Sequence, residues 1–362
     1  MREGITKRDS AFLYGIAIVF MIYHHLFCIP SRIQFGYLSV LDNVFAFSPV
    51  SAERTLAWFC KICVAIYAFI SGYGLCRSLK VDPEQGVFKS LGHLYLGVLK
   101  KLGKVLFKLL IVLTIFIPLL ILVNNRQVSF LEFLFNLIGY QSSLSGVYWY
   151  VNFYISTMLL YPLVCLVFTR TSKKKVIQIV VSLICLSLIV LWMIFGRYYV
   201  PDREYFIIFI EGYLVSRFMI FEKISKPLSS NDEVAISIIL LVSCFAIRVM
   251  CADEAAYHFI DMFIIIPFIY SVCSLVGRLP KLAKGLTFFG KYSTFVWLSH
   301  TFFMYDLMPR IITISGNSTV IFIESIVISL VAAIFLSLLE KYLLKLFGLI
   351  KKAIFRPKQK VA

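Results

Sequence analysis

Charged side chains are scarce in this chain: they make up 15% of 362 residues, and only 19 are Asp or Glu. That scarcity excludes an ordinary soluble domain. With 60% hydrophobic residues and a mean hydropathy of +0.88, a soluble fold would expose large apolar patches and aggregate. Short segments of alternating polarity are missing, which excludes a transmembrane β-barrel. No linker separates two soluble domains. The nine cysteines lack zinc-ligand spacing. Cys60 and Cys63 form a C-x-x-C within a stretch predicted to be one apolar helix, which points to packing rather than redox chemistry. No Ser or Cys stands in a recognisable nucleophile motif. No small-residue cleavage site follows the first apolar segment, so it is expected to be a retained helix and not a signal peptide.

What the chain does have is long apolar runs. A helix of about 20 residues crosses a ~30 Å hydrocarbon core, and it satisfies its own backbone hydrogen bonds there. The runs predict an all-α polytopic membrane protein of about ten transmembrane helices, over residues 11–29, 55–76, 105–123, 147–168, 176–196, 204–221, 234–250, 258–276, 288–307 and 319–340. The outer loop 30–54 is long enough for a partial lid. The basic stretch 77–104 is expected to run into the third span. Segment 129–140 suits a short helix lying at the outer surface or a re-entrant piece.

The net charge of +17 would suggest nucleic acid in a soluble protein. Here the positive charge sorts by side instead. With the N-terminus inside, the cytoplasmic pieces carry 28 of the 36 Lys and Arg. This positive-inside pattern predicts cytoplasmic N and C termini. The basic tail would be attracted to anionic lipid, and no nucleic-acid partner is expected.

Ionisable groups inside a membrane are costly, so each is a functional candidate. His24 and His25 close the first span, at a depth of roughly 21 Å at about 1.5 Å per residue. Adjacent helical residues point ~100° apart, so one is expected to line a cavity and the other to brace it or to pack against a neighbouring helix. Neutral imidazole suits general-base work near pH 7. His300 lies nearer mid-membrane. His93 is expected to be solvated and His258 interfacial. Glu211, in an apolar stretch, is either a cavity carboxylate or a structural partner for Lys61 or Arg248. Asp261 is expected at the interface. No metal site is expected.

The segment GIAIVFMIYHHLF resembles the first-helix motif of the acyltransferase 3 family, and AIYAFISGYGLCRSL its second-helix motif. WYVNFYISTMLLYPLV is similar to its tryptophan-bearing helix, and FFGKYSTFVWLSHTFF to its late helix. The four fall in order over about residues 8–305. One departure stands out: where the family commonly has an Arg, eleven positions before the histidine that matches His25, this chain has Tyr14. The resemblance implies one acyltransferase-like membrane domain over residues 1–345, a basic tail over 346–362, and no separate soluble domain.

It also implies an activity, that of an O-acetyltransferase in a bacterial cytoplasmic membrane. An acyl group passes from cytoplasmic acyl-CoA, a co-substrate rather than a bound cofactor, to a hydroxyl of a surface polysaccharide or lipid-linked saccharide. His25, His24 and Glu211 are the catalytic candidates. Ser71, Gly72, Tyr73 and Arg77 are candidates for acyl-CoA, because glycines admit a ligand close to backbone and Arg suits phosphate. The same glycines also suit close helix packing. Trp149, Asn152, Tyr154 and His300 are candidates for the acceptor and the oxyanion. The rival expectations are a flippase for lipid-linked sugars, a polysaccharide polymerase and a non-catalytic assembly partner.

Overall fold

The computed structural model describes residues 4–29, 51–81, 86–170, 204–251, 257–309 and 313–354. The predicted span 176–196, most of the predicted loop 30–54, the side chain of His258 and the end of the basic tail lie outside the described residues. The described chain forms helices and no β-strand. These are α1 (Lys7–Phe27), α2 (Ala52–Cys60), α3 (Cys63–Ser78), α4 (Val87–Asn124) and α5 (Phe130–Leu137), then a 3₁₀ turn (Gly146–Tyr148) leading into α6 (Trp149–Arg170). After α7 (Glu204–Arg217) and α8 (Ile220–Ser225) come α9 (Ser230–Met250), α10 (Tyr257–Gly277), α11 (Pro280–Lys291) and α12 (Ser293–Thr301). A π-helical segment (Phe302–Leu307) precedes α13 (Ser318–Ile354). Among the described residues, seven segments are long and apolar enough to cross a membrane, with α2 and α3 taken as one. The protein is an all-α polytopic membrane protein.

Local chemistry sets the helix ends. Thr6 and Asp9 form a capping box at α1, each side chain accepting the other's backbone N–H. Asn317 Oδ1 accepts from the N–H groups of Thr319 and Val320 and so opens α13. At 38 residues α4 is about 57 Å long, almost twice the hydrocarbon thickness. Its first turns, with Lys89, Lys100, Lys101 and Lys104, therefore reach beyond the apolar slab. The short helix expected near 129–140 is α5, capped by Ser129.

Two predicted spans are broken. The span 55–76 splits at Lys61–Ile62, between α2 and α3. The span 288–307 divides at Tyr292 and passes into the π-helical segment. Breaks in membrane helices are tolerated where other groups take over the released backbone, and π segments often sit at functional sites. The first break adjoins the cavity described below, and the second span reaches it through Trp297.

Two close crossings fix the frame. A Cβ on Gly72 would run into the Phe209 carbonyl of α7, and one on Gly212 into the Phe69 carbonyl of α3. Gly15 and Gly290 make the same reciprocal contact between α1 and α11. Without a hydrophobic force between helices in lipid, small residues that let backbones touch are what drive such association.

Candidate active site

A cavity of about 70 Å³ lies where α1, the α2–α3 break, the start of α6 and α12 meet. Met21, His24 and His25 line it from α1, and Lys61, Cys63, Val64 and Tyr67 from the break and α3. Val147, Trp149 and Tyr150 close a third side, with Trp297 on the fourth. The His24 and His25 rings are 5.3 Å apart, and the His25 and His300 rings 5.1 Å. The two adjacent histidines were expected to divide their work, one lining and one bracing. In the structure both line the cavity, and His24 is braced as well.

The brace comes from the helix break. Lys61 N–H turns to the Trp58 carbonyl in place of the Ala57 carbonyl that a continued helix would give it. His24 Nδ1 meets that Ala57 oxygen at 2.8 Å. A carbonyl only accepts, so Nδ1 carries the proton and, in the neutral ring, Nε2 is the basic nitrogen. The end of α1 is tied down in the same manner, since Tyr305 donates its hydroxyl to the His25 carbonyl at 2.6 Å.

His300 is fully buried behind His25. Its Nδ1 lies 3.0 Å and 2.9 Å from the carbonyls of Val296 and Trp297, so Nδ1 is again the protonated nitrogen. Its Nε2 has no hydrogen-bond partner among the described residues. Among the same residues, no group of three His, Cys, Asp or Glu is arranged to hold a metal.

A buried ion pair stands behind the break. Arg248 Nε donates to Asp261 Oδ1 at 2.7 Å, and Nη2 to Oδ2 at 3.1 Å, with both side chains fully buried. Arg248 Nη1 donates to the Trp58 carbonyl. Asp261, expected at the interface from its place near a helix end, has its side chain buried in the protein against Arg248. It is in the core because α9 and α10 face their charges toward each other.

The remaining candidates divide sharply. Trp149 is in the cavity wall. Asn152 is not, and its backbone packs beside Gly139. Tyr154 also lies outside the wall. Glu211 is half-buried on α7 and does not line the cavity, and its Oε2 has no hydrogen-bond partner among the described residues. Arg248, one of its expected structural partners, is held by Asp261.

The acyl-CoA candidates cluster at the far end of α3. Ser71 donates to the Tyr67 carbonyl, and Gly72 sits in the α7 crossing. The Tyr73 hydroxyl accepts from Ile5 N–H at 2.9 Å. Arg77 lies 3.9 Å from Glu222 and over the Tyr73 ring. His93 is exposed on the first turns of α4, as expected.

Sequence reasoning did not select Tyr67, Tyr150, Trp297 or Lys61. The three aromatics look like core in any apolar run. Tyr150 packs edge-on to Trp297 at 5.3 Å, and its buried hydroxyl has no partner among the described residues. Lys61 could have been found, as a cation inside an apolar stretch. Tyr14, which stands at the position of the family arginine, packs against the cavity-lining Tyr67 at 5.3 Å.

No curated protein and no solved structure matches this chain. A family model described as an acyltransferase domain matches residues 12–339, from the first turns of α1 to the middle of α13. That match takes in every wall of the cavity, and the chain belongs to the acyltransferase 3 family.

Proposed function

We propose that this membrane acyltransferase is an O-acetyltransferase. It moves an acetyl group from cytoplasmic acetyl-CoA to a hydroxyl of a surface or capsular polysaccharide, or of its lipid-linked precursor. The observation that carries the reading is the imidazole pair of α1 lining a cavity, with the His24 tautomer set by a backbone carbonyl. His25 holds the position that matches the family histidine.

The chemistry follows from those groups. A helix-one imidazole takes the proton of the acceptor hydroxyl as its oxygen attacks the thioester carbonyl. The negative charge then passes to the carbonyl oxygen, and Lys61 and Trp149 are the charged and N–H donors in the wall that would meet it. Collapse breaks the carbon–sulfur bond, and the imidazolium returns its proton to the leaving thiolate. The products are the O-acetyl ester and free CoA. In this reading the nucleotide end of CoA stays at the basic face, taken as cytoplasmic, and the acceptor enters from the opposite side; the positive-inside sorting of Lys and Arg supports that orientation.

The test is His25→Ala and His24→Ala, made separately and compared at matched membrane expression, with O-acetyl groups on the polysaccharide read by NMR. Loss of one general base lowers rates about 10²- to 10⁴-fold. Full acetylation by both variants would overturn the role of the pair. An unchanged polysaccharide spectrum on deleting the gene would overturn the acceptor class.

A further inference from the structure

The His24 imidazole rests on a backbone carbonyl, so whatever fixes that backbone bears on the site. His24 Nδ1 uses the Ala57 carbonyl, and the very next carbonyl, that of Trp58, takes Arg248. Asp261 grips the guanidinium with both oxygens. Arg248 comes from the last turn of α9 and Asp261 from near the start of α10, so the pair pins this hairpin to the end of α2.

Stability is a poor reason for such a pair. Replacing a buried ion pair with apolar residues of similar volume is often neutral or stabilising. Nor does the Trp58 carbonyl need Arg248 to be satisfied, since Lys61 N–H already donates to it at 3.3 Å. What the pair supplies is placement. A two-pronged carboxylate sets the guanidinium plane, and the guanidinium sets the Trp58 carbonyl. The peptide unit immediately before it carries the oxygen on which His24 rests.

We infer that Arg248 and Asp261 are positioning residues for acyl transfer, locking the end of α2 so that the Ala57 carbonyl holds His24 with Nε2 as its basic nitrogen. The inference rests on the helix-one imidazoles acting as the base. It predicts that the pair governs turnover and leaves donor binding alone.

The test uses the full-length protein in detergent or nanodiscs, with acetyl-CoA as donor and kinetics expressed per folded protein. The apolar double variant Arg248→Met/Asp261→Leu is expected to fold and to keep its KM for acetyl-CoA. Its kcat should fall about 100-fold, the scale of a small misplacement at a reacting centre. Arg248→Lys keeps a charge for Asp261 but loses the planar fork that also reaches Trp58. It should fold with unchanged KM and a kcat lowered about tenfold. On a His24→Ala background the Arg248→Lys change should cost nothing further, because residues acting through one another are not additive.

Wild-type kcat in either folded variant overturns the inference, as does a full additive loss on the His24→Ala background. Failure of both variants to accumulate as folded protein overturns it too, because the pair is then structural. The underlying function fails separately, if His24→Ala and His25→Ala both acetylate like the wild type.

Discussion

The cavity and the far end of α3 make an instructive pair. Both draw on motifs that resemble the family, and both were expected to bind substrate. At the cavity, side chains of two histidines, a lysine and several aromatics gather round open space, and the break in the helix supplies the backbone carbonyl that orients one of the imidazoles. At the α3 end the candidate residues are taken up by the protein itself. Gly72 is filled by the α7 backbone, Tyr73 by Ile5, and Arg77 by Glu222 and the Tyr73 ring. A motif residue that faces space is available for chemistry, whereas one that faces a neighbour is first of all part of the frame.

The largest effect that would break this contrast concerns Gly72. Gly72→Leu should abolish accumulation of folded protein, because a side chain there meets backbone that cannot yield, while Gly74→Leu, which meets open space, should fold normally. Size-exclusion profiles of the two variants decide it. A folded Gly72→Leu variant with only a raised acetyl-CoA KM would make this glycine a ligand contact after all. A smaller effect is expected at Arg77. If the guanidinium lets go of Glu222 to hold a phosphate, Arg77→Ala should raise the KM for acetyl-CoA about tenfold with little change in kcat, a typical loss for one charged hydrogen bond. An unchanged KM would leave Arg77 to its ion pair. The smallest effect is on the cavity side. Tyr305→Phe removes the hydroxyl from the His25 carbonyl and should lower thermal stability by about 1 kcal/mol, with a modest fall in kcat. A melting curve and kcat identical to wild type would free the end of α1 from that anchor.

Much of the fold was legible because lipid imposes one rule on every span, and apolar run length reports it directly. The breaks were not legible. Cys60-Lys61-Ile62-Cys63 contains no Gly or Pro, and its break shows only in which carbonyls the Lys61 and Ile62 N–H groups choose. His24, His25 and His300 were conspicuous because an imidazole in an apolar run has few innocent explanations. Tyr67, Tyr150 and Trp297 were hidden by the opposite logic, since an aromatic ring suits a packed core as well as a cavity wall. Arg248 and Asp261 were each visible as charges near helix ends. Their union depends on how two helices rotate about their axes, which no single-helix pattern encodes.

Because His24 leans on a peptide oxygen, no exchange of the side chain at residue 57 deletes that support. Mutational scanning should therefore find small replacements of Ala57, such as Ala57→Gly and Ala57→Ser, silent for catalysis. One inserted or deleted residue between positions 57 and 63 should be ruinous, because it moves the oxygen itself. In this protein the chain path at the kink, more than the letters written there, is what heredity must preserve.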